Sequence, residues 1–100
     1  MNFLHYQFDV GPTDLVEVTL DKQANALLLD SVNFQNYRAR RGFRYYGGLA
    51  KVSPVRRRPP YPGRWHLVID LGGRGGTVRA SARIVRPQPL GAERYLAIYG

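Results

Sequence analysis

The chain has 100 residues, of which 44% are hydrophobic and 22% charged, enough for one domain with a modest core and too apolar for a disordered polymer. It contains no cysteine, which excludes a disulfide framework and a cysteine-ligated zinc site. The formal net charge is +8 and unevenly spread: residues 1–30 hold five acids and one base, residues 31–100 fourteen bases and two acids.

Between Arg38 and Arg58 there are eight bases and no acid, and thirteen of the fifteen bases are arginine. Such a balance implies solubility and attraction to polyanions. The planar fork of arginine suits phosphate and carboxylate, although an arginine-favouring genome would leave the same composition. The N-terminus has no basic start followed by a long apolar stretch, so no signal peptide is expected. The longest aliphatic run, Leu27 to Leu29, falls far short of a membrane span, and the expectation is a cytoplasmic protein with no membrane contact.

Phe3 to Val10 alternates, with Leu4, Tyr6, Phe8 and Val10 on one face and Phe3, His5, Gln7 and Asp9 on the other, as in a half-buried strand. After a Gly11–Asp14 turn, Leu15 to Leu20 alternates again, burying Val16, Val18 and Leu20 and showing Glu17 and Thr19 to water. Ala24 to Leu29 is nearly all apolar and fits a central strand covered on both faces. Asp30 or Ser31 is placed to cap one or two helical turns reaching Arg38, with Phe34 and Tyr37 on one side; an irregular Asx-rich loop is the alternative. Phe43 to Lys51 is strand-like, and Gly47-Gly48 marks a bulge or the close approach of another backbone. Val52 to Arg58 is a further strand that Pro54 confines to an edge or bulge, with Arg56, Arg57 and Arg58 as a charge block against edge-to-edge pairing.

Gly63 to Val85 reads as a hairpin around a Gly-Gly-Arg-Gly-Gly tip. Trp65, Leu67, Ile69 and Leu71 share one face of its first arm; Val78, Ala80, Ala82 and Ile84 share one face of the second, with Thr77, Arg79, Ser81 and Arg83 opposite. Pairing Leu71 with Val78 sets large residues against small ones and Asp70 against Arg79. The tip glycines permit positive φ; a backbone-amide nest for an anion around Arg74 is the other use of such a loop. No lysine followed by serine or threonine, and no helix start, accompanies it as a phosphate-binding loop requires.

Six or seven short strands and one short helical excursion near residues 31–38 predict an all-β fold, an antiparallel β-sandwich (jelly-roll-like) or flattened barrel, over residues 1–86. Residues 87–100 read as a Pro-containing linker, with Tyr95 to Tyr99 a possible extra edge strand.

Several of these stretches carry a resemblance. Leu15 to Asn25, Asp30 to Tyr37, Arg44-Tyr45-Tyr46-Gly47-Gly48, Ser53-Pro54-Val55 and Trp65 to Gly73 resemble a bacterial family labelled domain of unknown function 1883. The resemblance covers roughly residues 1–85. It implies a compact, mostly β bacterial domain, sometimes found ahead of a TIR domain, which points to sensing, signalling or defence. It supplies no catalytic residues to carry over.

Catalytic and metal signatures are thin. His5 and His66 project opposite the predicted core residues of their strands, and Asp9 or Asp70 would complete a metal site only if those strands were neighbours. Asp30-Ser31 with His66 would suit a hydrolase, but no nucleophile-elbow sequence supports one. Asp30, Asn33 and Asn36 offer oxygen ligands without the carboxylate density of an EF-hand, and local capping explains them. No catalytic residue, metal or cofactor is therefore expected.

The remaining lead is a basic surface with interleaved aromatics: Arg38, Arg40, Arg41, Arg44, Tyr45, Tyr46, Arg56, Arg57, Arg58 and Arg74. Basic grooves with exposed aromatics bind single-stranded nucleic acid by stacking. If the aromatics are core, the arginines are a solvated rim. The expected function is a non-catalytic interaction module for a protein partner, in a signalling or defence setting, with homo-oligomerisation through strand edges possible. The alternative is a binder of single-stranded nucleic acid or another polyanion through the Arg/Tyr-rich face. Carbohydrate binding by Trp65 is a minor third, since Trp65 reads as core.

Overall fold

The computed structural model describes residues 2–86. Seven strands and one helix follow in the order β1 (Leu4–Val10), β2 (Leu15–Leu20), β3 (Ala24–Leu29), α1 (Ser31–Arg38), β4 (Tyr46–Ala50), β5 (Val55–Arg57), β6 (Gly63–Asp70) and β7 (Ala80–Val85). They form two antiparallel sheets, one ordered β1-β6-β3-β4 and the other β5-β2-β7. The result is a sandwich and not a closed barrel. The expected tail, with its linker and strand at Tyr95 to Tyr99, lies outside the described residues.

Alternation builds the space between the sheets. Val10, Val16, Val18, Leu20, Ala24, Ala26, Leu28, Ala50, Trp65, Leu67 and Ile69 make one buried cluster, with Tyr6, Phe8, Ala80, Ala82 and Ile84 packed against it. Trp65 is 0% exposed, and its indole N–H donates to the Tyr61 carbonyl at 2.9 Å, so the ring is buried without an orphaned donor. A second cluster lies on the other face of the four-stranded sheet: Leu27 and Leu29 of β3, Val68 of β6, and Phe34 and Tyr37 of α1. β3 is thus covered on both faces, as its continuous apolar run predicts. Arg79 and Arg83 stand outside, on the faces the alternation assigned them.

The Gly63–Val85 hairpin does not form. β6 pairs with β1 along one edge and with β3 along the other, so it has no free edge to offer β7. β7 crosses to the second sheet and pairs with β2, setting Val18 against Ala82 and Val16 against Ile84. The glycine-rich stretch is therefore a connection between sheets. Asp70 does not meet Arg79: its carboxylate accepts from Asn25, Tyr37 and the Gly72 amide, while the Arg79 amide donates to Asp21. Alternation survives this change because it states which side chains face inward and not which strand lies alongside.

Glu17 also departs from expectation. It is buried, because β2 is the middle strand of its sheet and each neighbour places an arginine in register with it, Arg56 on β5 and Arg83 on β7. Their Nε atoms reach the carboxylate at 3.0 and 2.9 Å. These bonds and charges hold its carboxyl below the usual glutamate value.

Of the two readings of the Gly-Gly pair, a bulge or a close approach, Gly47 marks the close backbone approach. Its φ is +104°, and an added Cβ would stand 2.5 Å from the Ala26 carbonyl oxygen across the β3–β4 ladder. Gly47→Ala should therefore destabilise the fold by about 1–3 kcal/mol or more. Gly42→Ala, whose Cβ meets nothing within 4 Å, should stay within about 0.5 kcal/mol of the parent. Urea unfolding of the two variants checks the contrast.

Candidate functional site

The basic segment is set in place by α1. Asp30 caps the helix, its carboxylate accepting from the Asn33 amide at 2.8 Å and from the Asn33 side chain. Phe34 and Tyr37, one turn apart, are buried against the four-stranded sheet. The Tyr37 hydroxyl donates to Asp70 at 2.6 Å, and its ring meets Phe3 and Phe43 edge-on at 5.1 and 5.2 Å. Burial, reinforced by the Asp70 carboxylate, pushes the Tyr37 hydroxyl well above the usual tyrosine value.

The chain leaving α1 is pinned repeatedly. The amides of Ala39, Arg40 and Arg41 donate to the carbonyls of Gln35, Tyr37 and Asn36. Arg40 takes a left-handed φ of +57°, which turns the chain back along the helix. Phe43 packs on the second apolar cluster, and the Arg44 amide donates to the Asn33 side-chain carbonyl at 2.7 Å. This places Arg38, Arg40, Arg41, Arg44 and Tyr45 on one ordered, exposed ribbon, with Tyr46 following at the start of β4. Tyr45 and Tyr46 are 49% and 50% exposed. The Arg38 guanidinium lies 5.8 Å from the centre of the Phe34 ring.

Charge pairing separates these arginines from Arg56, Arg64, Arg83 and Arg86. Arg56 and Arg83 bind Glu17, Arg64 binds Asp9, and Arg86 binds Asp14. Among the described residues Arg38, Arg40, Arg41 and Arg44 have no acidic group within 4.0 Å.

The structure therefore divides the sequence-predicted surface. Arg38, Arg40, Arg41, Arg44, Tyr45 and Tyr46 come together. Arg56 is neutralised on the other sheet, and Arg57 turns inward, its Nη2 donating to the Gly48 carbonyl at 3.4 Å and its Nε buried without a partner. Arg58 is exposed beyond β5. Arg74 sits in the β6–β7 connection, beside a cavity of about 440 Å³ lined by residues that include Phe3, Ile69, Leu71 and Val78.

His5 and His66 are neighbours, which the expected hairpin concealed. Pairing of β1 with β6 brings His5 Nε2 to 2.8 Å from His66 Nδ1, and His66 Nε2 lies 3.0 Å from Ser31 Oγ. Phe34 stacks on both rings. Neither carboxylate considered as a third ligand joins them: Asp9 pairs with Arg64, and Asp70 is held by Tyr37 and Asn25. Among the described residues no three of His, Cys, Asp and Glu gather as a metal site would need. Partial desolvation by the stacked Phe34 and His66 rings, then the nearby Arg38, lowers the basicity of His5; burial, then His5 and Arg64, lowers that of His66 against a smaller opposing effect of Asp30.

The sequence profile described as "Domain of unknown function (DUF1883)" matches residues 1–88. The chain belongs to the DUF1883 family. No curated protein and no solved structure matches it. The DUF1883 domain has, among its described residues, no helix long and apolar enough to cross a membrane.

Two measurements test the site as built. Tyr37→Phe keeps the ring contacts but removes a hydrogen bond to the buried Asp70, and should cost about 1–3 kcal/mol in urea unfolding. Both histidines are less basic in the folded chain than the ordinary value of 6.5. Below 6.5 the unfolded chain takes up protons that the folded chain refuses, so stability present above this pH is lost as pH falls through the lowered folded values. Thermal melts of wild type and His5→Gln between about pH 7.5 and pH 5 should show this loss shrinking in the variant.

Proposed function

We propose that the DUF1883 domain is a binding module that takes a polyanion, single-stranded nucleic acid foremost, on the ribbon from Arg38 to Tyr46. One observation carries this reading: four arginines stand together on a segment pinned by hydrogen bonds and free of acids, while Arg56, Arg64, Arg83 and Arg86 are matched by Glu17, Asp9 and Asp14. A pre-ordered segment loses little conformational freedom on binding. The half-exposed rings of Tyr45 and Tyr46 supply faces for stacking beside the guanidinium groups.

A protein partner is the second reading, favoured by β4. This strand is an edge of the four-stranded sheet, with Tyr46 and Leu49 50% and 46% exposed, and an extended peptide or the edge of a second copy could add to it.

Fluorescence anisotropy with a labelled single-stranded oligonucleotide separates the two. Each phosphate neutralised on a single strand contributes about −0.7 to the slope of log affinity against log salt, so four contacts predict roughly a 50-fold loss between 50 and 200 mM salt. Replacing Arg40, Arg41 and Arg44 together by alanine should cut the slope to about a quarter, whereas Leu49→Lys should leave it unchanged. Absence of binding at low salt rules out the polyanion reading. A co-purifying protein lost on Leu49→Lys but retained by the triple variant would support the edge strand.

A further inference from the structure

A second cluster lies beside the arginine ribbon, across the Phe34 ring, on the outer face of the four-stranded sheet. Ser31 opens α1, and its Oγ lies 3.0 Å from Nε2 of His66; Nδ1 of His66 lies 2.8 Å from Nε2 of His5. The Phe34 ring stacks on both imidazoles, at 4.1 Å from His5 and 4.5 Å from His66 between centroids, and holds their planes within 18° and 9° of its own. His66 is buried, while Ser31 and His5 are exposed. A nucleophile bonded to a base that is itself bonded to an orienting group is the arrangement that activates a serine, recognised by geometry and not by sequence order. We propose that Ser31, His66 and His5 form such a chain and that Ser31 accepts an acyl group from a small carboxylic ester or thioester.

One pair of histidine tautomers supplies the mechanism. With Ser31 donating to Nε2 of His66, the proton of that imidazole sits on Nδ1 and is donated to Nε2 of His5, whose own proton is on Nδ1. As Ser31 Oγ bonds to the carbonyl carbon, its proton passes to Nε2 of His66 and the carbonyl π pair moves to oxygen. Collapse of that oxyanion breaks the C–O or C–S bond, and the leaving alkoxide or thiolate takes the proton from Nε2. Water, giving a proton to the same nitrogen, attacks the acyl-serine; the acid departs and Ser31 Oγ recovers the proton.

The start of α1 offers the oxyanion its donors. Asp30 occupies the Asn33 amide, and the Phe34 amide donates to the Asp30 carbonyl, which leaves the amides of Ser31 and Val32 without an intrahelical acceptor. The Asp30 carboxylate beside them is itself engaged by the Asn33 side chain and by the Tyr61 hydroxyl. The charged and titratable groups around His66 are His5 from β1, Asp30 at the start of α1 and Arg64 on its own strand; Arg38 acts on His5. Desolvation, with Arg38 at His5 and with His5 and Arg64 at His66, lowers the basicity of both imidazoles and so favours the uncharged form in which His66 is a base.

A fluorophosphonate probe on the full chain tests the assignment. Ser31 Oγ bonds to phosphorus as the P–F bond breaks, fluoride leaves, and the serine proton passes through His66 to water. Mass spectrometry should find the adduct on Ser31 of the folded protein and none at that position in urea-unfolded wild type or in S31A. H66Q should slow labelling about 100-fold and H5Q by a smaller factor, and the wild-type rate should rise with pH to a plateau, with its midpoint below the ordinary histidine value of 6.5. No adduct on Ser31, or equal rates in wild type and H66Q, overturns the proposal. If H66Q shows no cooperative melt, H5Q and the pH profile decide: an unchanged H5Q rate with a flat profile overturns it equally.

Discussion

Enclosure of β6 on all sides is the constraint that organises this domain. β1 and β3 take its two edges. Trp65, Leu67 and Ile69 fill the space between the sheets, and His66, Val68 and Asp70 lie on the outer face, with α1 packed over Val68. Buried polar groups need partners, so the outer face recruits them: Asp70 gathers Asn25, Tyr37 and the Gly72 amide, and His66 gathers His5 and Ser31. An eight-residue helix is too short to stand alone in water. α1 persists because Phe34 and Tyr37 are buried and because Ser31 and Tyr37 hydrogen-bond to side chains of β6.

Both surfaces of functional interest descend from that docking. The chain leaving α1 is tied back to it by backbone bonds and by Phe43, which orders the arginine ribbon. The start of the same helix delivers Ser31 to His66. The two surfaces share Phe34, whose ring lies over the histidines and beneath the Arg38 guanidinium.

The electrostatic pattern has a topological origin. Five of the seven acids precede residue 31, and Asp9, Asp14 and Glu17 sit where β6, β7, β5 and the end of β7 bring arginines alongside. Asp30 is taken up by the helix cap and Asp70 by the buried hydrogen bonds. Asp21 accepts from the Arg79 amide, and among the described residues no acid lies within 4.0 Å of an arginine in the segment after α1.

Local pattern was enough to place the strands, a cap at Asp30 or Ser31, the two-sided burial of β3, a bulge or close approach at Gly47-Gly48 and the outward Arg79 and Arg83, because alternation and capping depend only on near neighbours along the chain. The sequence also carried its family in those same stretches. It did not reveal which strand lies beside which: a glycine-rich link between two complementary arms reads as a hairpin, and only the tertiary structure shows β1 and β3 already on the edges of β6. From that pairing come the burial of Glu17, the Tyr37–Asp70 bond and the meeting of His5, His66 and Ser31. An isolated stretch encodes which way its side chains face; what they face is a long-range competition for edges, decided only when the whole core assembles.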